Sequence, residues 1–98
     1  MKIERTEPAV EDLRNFHGFI AKDSELYATS FVERIILAAE KLADFPRLGR
    51  MVPEADQENI RELLYQDYRI IYRVEKELVE TRTVIHGRRD LLSKEPPR

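Results

Sequence analysis

Three apolar, β-branched runs follow one another almost without pause near the end of the chain: "IRELLY" (60–65), "YRIIYRV" (68–74) and "LVETRTVIHG" (78–87). The breaks between them, "QD" and "EKE", are too short for a crossover, so the runs pair as antiparallel hairpins in a three-stranded meander. Alternation sorts their side chains. In the middle run Tyr68, Ile70, Tyr72 and Val74 share one face, while Arg69, Ile71 and Arg73 share the other. In the last run Val79, Thr81, Thr83 and Ile85 are separated from Leu78, Glu80, Arg82, Val84 and His86. A sheet this small is stable only when one face is covered.

Upstream the period becomes helical and supplies that cover. Val10, Leu13, Phe16, His17 and Ile20 recur at helical spacing behind Glu7 and Pro8, and proline suits the first helical position. Glu11 and Asp12 favour the positive end of the helix dipole. The spacing predicts a helix over 8–21. "AKDS" (21–24) breaks it and offers Asp23 or Ser24 as the next N-cap. Tyr27, Phe31, Ile35, Ala38, Leu42 and Phe45 then form one stripe of a helix over 25–44, which Pro46 ends. The short link makes the two helices an antiparallel hairpin. "KIERT" (2–6) reads as a short edge strand joining the later sheet. Residues 46–59, with Gly49 and two prolines, read as a loop in which Gly49 supplies a turn conformation. The order is β-α-α-β-β-β, an α+β fold with a helix hairpin packed on a small antiparallel sheet, as one domain over residues 1–98.

Charge narrows the function classes. The chain holds 17 basic and 19 acidic residues, net −2, which argues against a broad nucleic-acid groove. A slight basic surplus over 60–90 permits a local anion-binding patch. Cysteine is absent, which excludes disulfides and thiolate metal sites and favours a reducing compartment. No run approaches the roughly 18 apolar residues of a membrane span, and "MKIERTEP" lacks a signal peptide's apolar region, so a cytoplasmic location is expected. His17 and His86 fit neither H-x-x-x-H nor H-E-x-x-H spacing, so neither metal nor cofactor is expected.

The candidate site residues are cationic. "TVIHGRRDL" (83–91) closes the last strand with His86, Arg88 and Arg89. The two arginines suit bidentate contact with carboxylates of a target or partner, or local pairing with Asp90. His86 is either an acid–base group or, more simply, a structural imidazole at the strand end; His17 reads as packing. Arg69 and Arg73 either border a basic concave surface or form the solvated side of a strand. Arg61 is a sheet-surface ion partner or a partner contact. Tyr68 and Tyr72 read as core. The polar faces of the helix hairpin, with Arg14, Lys22, Glu33, Arg34, Glu40 and Lys41, are a recognition surface or a solvated face.

"DL" (12–13), "FPRLGRMVPE" (45–54), "IREL" (60–63), "YRIIYRV" (68–74) and "VIHGRRDL" (84–91) together resemble the RelE/ParE toxins of type II toxin–antitoxin systems. The resemblance spans nearly the whole chain. It implies a small toxin neutralised by a cognate antitoxin, ParD-like or of another ribbon-helix-helix type, that wraps it with a C-terminal segment. RelE-type toxins cleave mRNA in the ribosomal A site, whereas ParE-type toxins inhibit DNA gyrase as protein ligands. The RelE-type apparatus uses lysines on the strand aligned with "IRELL", arginines on the two following strands and a tyrosine beyond the last. Here Arg69 and Arg89 match arginines, but the lysine positions fall on Ile60 and Glu62, and no tyrosine follows "HGRRD". Glu62 would put negative charge beside a phosphate. The resemblance therefore implies a ParE-like, plasmid-stabilisation type of toxin acting on gyrase or another protein, with Arg61, Arg69, Arg73, Arg88 and Arg89 meeting target or antitoxin. The alternatives are a ribosome-dependent endoribonuclease using Arg69, Arg89 and His86, or a non-toxic family member serving as a binding module.

Overall fold

The computed structural model describes residues 1–87. Strand β1 (Lys2–Arg5) leads into helices α1 (Glu7–Ala21) and α2 (Glu25–Glu40), the latter tightening into a 3-10 turn at Lys41–Ala43. Strands β2 (Arg50–Met51), β3 (Ile60–Tyr65), β4 (Tyr68–Val74) and β5 (Leu78–His86) follow. Local chemistry sets these boundaries. The Thr6 hydroxyl caps α1 by accepting from the Ala9 amide at 3.3 Å, and donates to the Arg82 carbonyl at 2.9 Å. Of the two candidate caps for α2, Ser24 serves, accepting from the Tyr27 amide at 3.1 Å.

Among the described residues the sheet is five-stranded, in the order β1-β5-β4-β3-β2. The β3-β4-β5 meander is antiparallel as expected. Two details go beyond the reading from sequence. β1 pairs with β5 in parallel, Ile3 opposite Val79 and Arg5 opposite Thr81, so the sheet is mixed. Within the stretch read as loop, Arg50 and Met51 pair with Glu62 and Arg61 as an added edge strand. A parallel partner for β1 follows from the helix hairpin, which returns the chain to the end at which β1 begins, where the Met1 amine donates to the Ala43 carbonyl at 2.9 Å, so β3 and β5 run in the direction of β1.

Both helices cover one face. Leu13, Phe16, Phe31 and Ile35 pack on Ile70 and Val84, and Leu42 with Tyr72 and Val79 closes the other end. The Tyr68 ring sits edge-on to Phe16 and to Phe31, both at 4.9 Å. Simple alternation puts Val79 and Val84 on opposite faces, yet both join the helix-side core. The register explains this: Ile71 faces Thr83 but Tyr72 faces Thr81, so Arg82 is passed over as a one-residue bulge and the alternation of β5 inverts there.

β1 ends at Arg5, so among the described residues the outer edge of β5 beyond Thr81 has no strand partner. Asp12 of α1 takes over, its Oδ2 accepting from the Val84 amide at 2.9 Å and from the Thr83 hydroxyl. The "DL" of the first helix is thus a side-chain extension of the sheet. No helix among the described residues is long and apolar enough to cross a membrane.

Candidate functional site

The face of the sheet away from the helices carries Arg69 and Arg73 of β4 with Ile60, Glu62 and Leu64 of β3, which lie opposite or diagonal to them. The loop 52–57 rises beside it. Between loop, sheet and the β3–β4 turn lies a cleft of about 390 Å³, lined by Arg50, Pro53, Glu54, Glu62, Leu64 and Arg69 among others.

Arg69 is the centre of this face, and it is only 6% exposed. Its Nε donates to Glu62 Oε2 at 2.6 Å and its Nη2 to Glu62 Oε1 at 3.4 Å. From the end of the guanidinium, Nη1 and Nη2 each donate to a Glu54 carboxylate oxygen at 2.9 Å. Arg50 Nε donates to the buried Glu62 carboxylate at 3.1 Å. The result is an alternating chain of charges, Glu54–Arg69–Glu62–Arg50. The hydrogen bonds that Arg69 donates to Glu54 raise its pKa further above its already high value; burial opposes this and the bonds to Glu62 add to it. Arg69 is therefore a permanent cation with two carboxylates against its fork.

The loop that carries Glu54 is anchored just as firmly. The buried Tyr72 hydroxyl donates to the Pro46 carbonyl and accepts from the Gly49 amide, both at 2.9 Å. Burial raises the Tyr72 pKa, with the Gly49 amide opposing. Arg61 Nη1 donates to the Gly49 carbonyl at 2.9 Å. A Cβ at Gly49 would lie 2.3 Å from the Glu62 carbonyl oxygen. Gly49 has no positive φ, so its role differs from the turn conformation expected: glycine is needed for close approach to β3.

Among the described residues the cationic candidates do not assemble into one surface. Arg69 lies neither on a solvated strand side nor on an open basic rim, because two glutamates enclose it. Arg61 projects to the helix side and ties down the loop. Arg73 pairs with Glu75 at 2.7 Å. His86 lies edge-on to Tyr68 at 5.5 Å, and His17 is in hydrogen-bond contact with Thr29 across the helix hairpin at 3.2 Å. Tyr68 and Tyr72 face the core, and burial raises the Tyr68 pKa as well. Arg88 and Arg89 lie outside the described residues. Reading the sequence alone misses Arg50 and Glu54. Glu62 carried a signal, an acid diagonal to Arg69, whereas nothing local places Glu54 above the sheet. Among the described residues no group of three or more His, Cys, Asp or Glu side chains is placed to hold a metal ion.

Comparison with known proteins follows the same lines. The family model described as "ParE toxin of type II toxin-antitoxin system, parDE" matches residues 3–91. Among solved structures, a chain of the chromosomal ParDE system from P. aeruginosa superposes with a TM-score of 0.73 at 17% identity, over 88% of this chain and 95% of that one. The RelB–RelE antitoxin–toxin complex from Methanococcus jannaschii gives 0.59 at 20% identity, over 95% and 99%. The isolated E. coli RelE toxin gives 0.57 at 14% identity, over 93% and 88%. At these identities the structural likeness is one of fold. No curated protein matches in sequence.

Proposed function

The chain belongs to the ParE toxin family of type II toxin–antitoxin systems, and from that premise we propose that it is a cytoplasmic toxin acting by gripping a protein target, DNA gyrase first among candidates, and not by cutting RNA. A cognate antitoxin, ParD-like or of another ribbon-helix-helix type, holds it inactive in a hetero-oligomer.

One observation carries this reading: the arginine on which RNA cleavage would depend is enclosed by Glu54 and Glu62. Transesterification through a 2′-hydroxyl needs a base for its proton, cationic donors for the developing phosphorane and an acid for the leaving oxygen. Arg69 meets two carboxylates where a phosphate would have to sit. Glu62, at a position where the RelE-type pattern has lysine, holds negative charge inside the sheet. A phosphate approaching this cleft would have to displace Glu54 and tolerate Glu62. Contacts with carboxylates of target or antitoxin then fall to Arg73, Arg88 and Arg89, while Arg61 and Arg69 hold the scaffold.

The test is a gyrase supercoiling reaction with the purified chain. Inhibition or stabilised cleavage complexes, both relieved by equimolar antitoxin, is the expected result. Unimpaired supercoiling at saturating toxin removes gyrase as the target.

A further inference from the structure

Residues 45–51, "FPRLGRM", combine two properties that seldom occur together. Their backbone is held by the buried Tyr72 hydroxyl at Pro46 and Gly49, by Arg61 at the Gly49 carbonyl, and by the Leu48 amide on the Phe45 carbonyl at 3.0 Å. Their large apolar side chains nevertheless face solvent: Phe45 is 64%, Leu48 52% and Met51 43% exposed. Folding gains little from the exposed parts of these side chains, and large apolar groups displayed together on one short segment mark interaction sites. A locked backbone lowers the ordering cost of binding.

Charge selects the occupant. The segment carries two arginines and no acid in a chain of net charge −2. Arg50 reaches outward while its partner Glu62 is wholly buried, and Arg47 pairs with exposed Glu58, a contact worth little in water. A second copy of the chain would set Arg47 and Arg50 against themselves across a two-fold axis. Nucleic acid gains little from a surface dominated by Phe45, Pro46, Leu48 and Met51. A flexible wrapping segment is better served by a concave apolar groove, such as the one of about 340 Å³ over Val10, Leu13, Val32 and Ile36 on the helix hairpin.

We propose that residues 45–51 are the surface by which this chain grips its protein target: a locked apolar turn, flanked by Arg47 and Arg50, that seats in an apolar recess rimmed by carboxylates on a folded partner. This rests on the reading that the chain acts on a protein. Arg50 also lines the cleft beside Arg69, which makes the turn continuous with the candidate site.

The experiment compares the full chain with Phe45→Ser/Leu48→Ser, with Arg47→Glu, and with Leu26→Ser as a control at an exposed position on α2. Growth arrest on graded induction, affinity for the cognate antitoxin by calorimetry and thermal midpoint are measured for each. The double variant and Arg47→Glu should each lose about tenfold or more in toxic potency, with antitoxin affinity changed less than about threefold and the midpoint kept. Leu26→Ser should match the parent. A toxic parent whose turn variants remain equally toxic overturns this inference alone, as does antitoxin affinity falling in parallel with potency. A parent that arrests nothing, or that cuts mRNA, overturns the protein-target reading and this inference with it.

Discussion

At Arg69, five donors in a planar fork meet two carboxylates that differ in burial. The Glu62 side chain is inaccessible to solvent and that of Glu54 is 22% exposed, so the two contribute unequally to stability. Removing a partner from a buried pair strands the charge that remains, at roughly 3–5 kcal/mol. A small domain has only about 5–15 kcal/mol to lose. Glu62→Ala removes the buried carboxylate from Arg69 and leaves Arg50 with no carboxylate from β3; urea unfolding should show a loss near the upper part of that range. Glu54→Ala, at the wetter end of the fork, should cost less, about 1–3 kcal/mol. The reverse order would mean that the loop contact, and not the contact within the sheet, fixes Arg69. Tyr72 offers a second test, through pH. Its folded-state pKa lies above 10.0, largely because burial disfavours the phenolate. A raised acid keeps its proton in the fold after the unfolded chain has released one, so stability is whole below pH 10 and falls as pH rises beyond it. Tyr72→Phe should lose roughly 1–3 kcal/mol at neutral pH, because the Gly49 amide and Pro46 carbonyl lose their partner. It should also show a shallower decline in thermal midpoint as pH rises above about 10, the remainder arising from Tyr68. An unchanged alkaline slope would show that Tyr72 is not the group responsible.

At the level of elements, the helix hairpin and the meander were legible because each rests on a local period. Apolar residues three and four apart mark α1 and α2, alternating residues mark β3 to β5, and Ser24 sits where a short polar side chain precedes an apolar stripe, whereas the Thr6 cap was not read. What else escaped is non-local. Two residues at the edge, Arg50 and Met51, have no period to detect. The parallel pairing of β1 depends on where the helix hairpin returns the chain. The bulge at Arg82 looks like ordinary alternation until Tyr72 is seen opposite Thr81. Asp12 belongs to the same class, since its carboxylate looks like a helix-dipole residue and in fact completes the edge of β5, 71 and 72 residues away at Thr83 and Val84. Asp12→Ala should cost about 1–3 kcal/mol by stranding the Val84 amide and the Thr83 hydroxyl, seen as faster hydrogen exchange at Val84 than elsewhere in β5. Equal exchange across β5 would refute that role. Gly49→Ala should be worse than its size suggests, because the clash is with the backbone of β3 and no side chain can move aside. A melting point within a degree or two of the parent would mean the loop does not sit against Glu62.

Seen whole, the molecule is a small scaffold whose charges mostly cancel in place. Arg69 with Glu54 and Glu62, Arg73 with Glu75, Arg82 with Glu80 and Arg47 with Glu58 leave no broad cationic trough on the described residues. Net charge −2 pointed the same way before any geometry was known. The sequence showed Glu62 where the RelE-type pattern has lysine, but its grip on Arg69 and the loop carrying Glu54 over the sheet had to be seen folded. On the proposed reading, this family scaffold binds a protein and leaves RNA intact because Arg69 is already occupied by Glu54 and Glu62. The most direct test maps mRNA 5′ ends in a reconstituted translation reaction given the purified chain. Transcripts without codon-positioned cuts, at toxin levels that arrest growth in cells, are the expected result. Cuts on translating ribosomes that disappear with Arg69→Ala in a variant that still folds would contradict it.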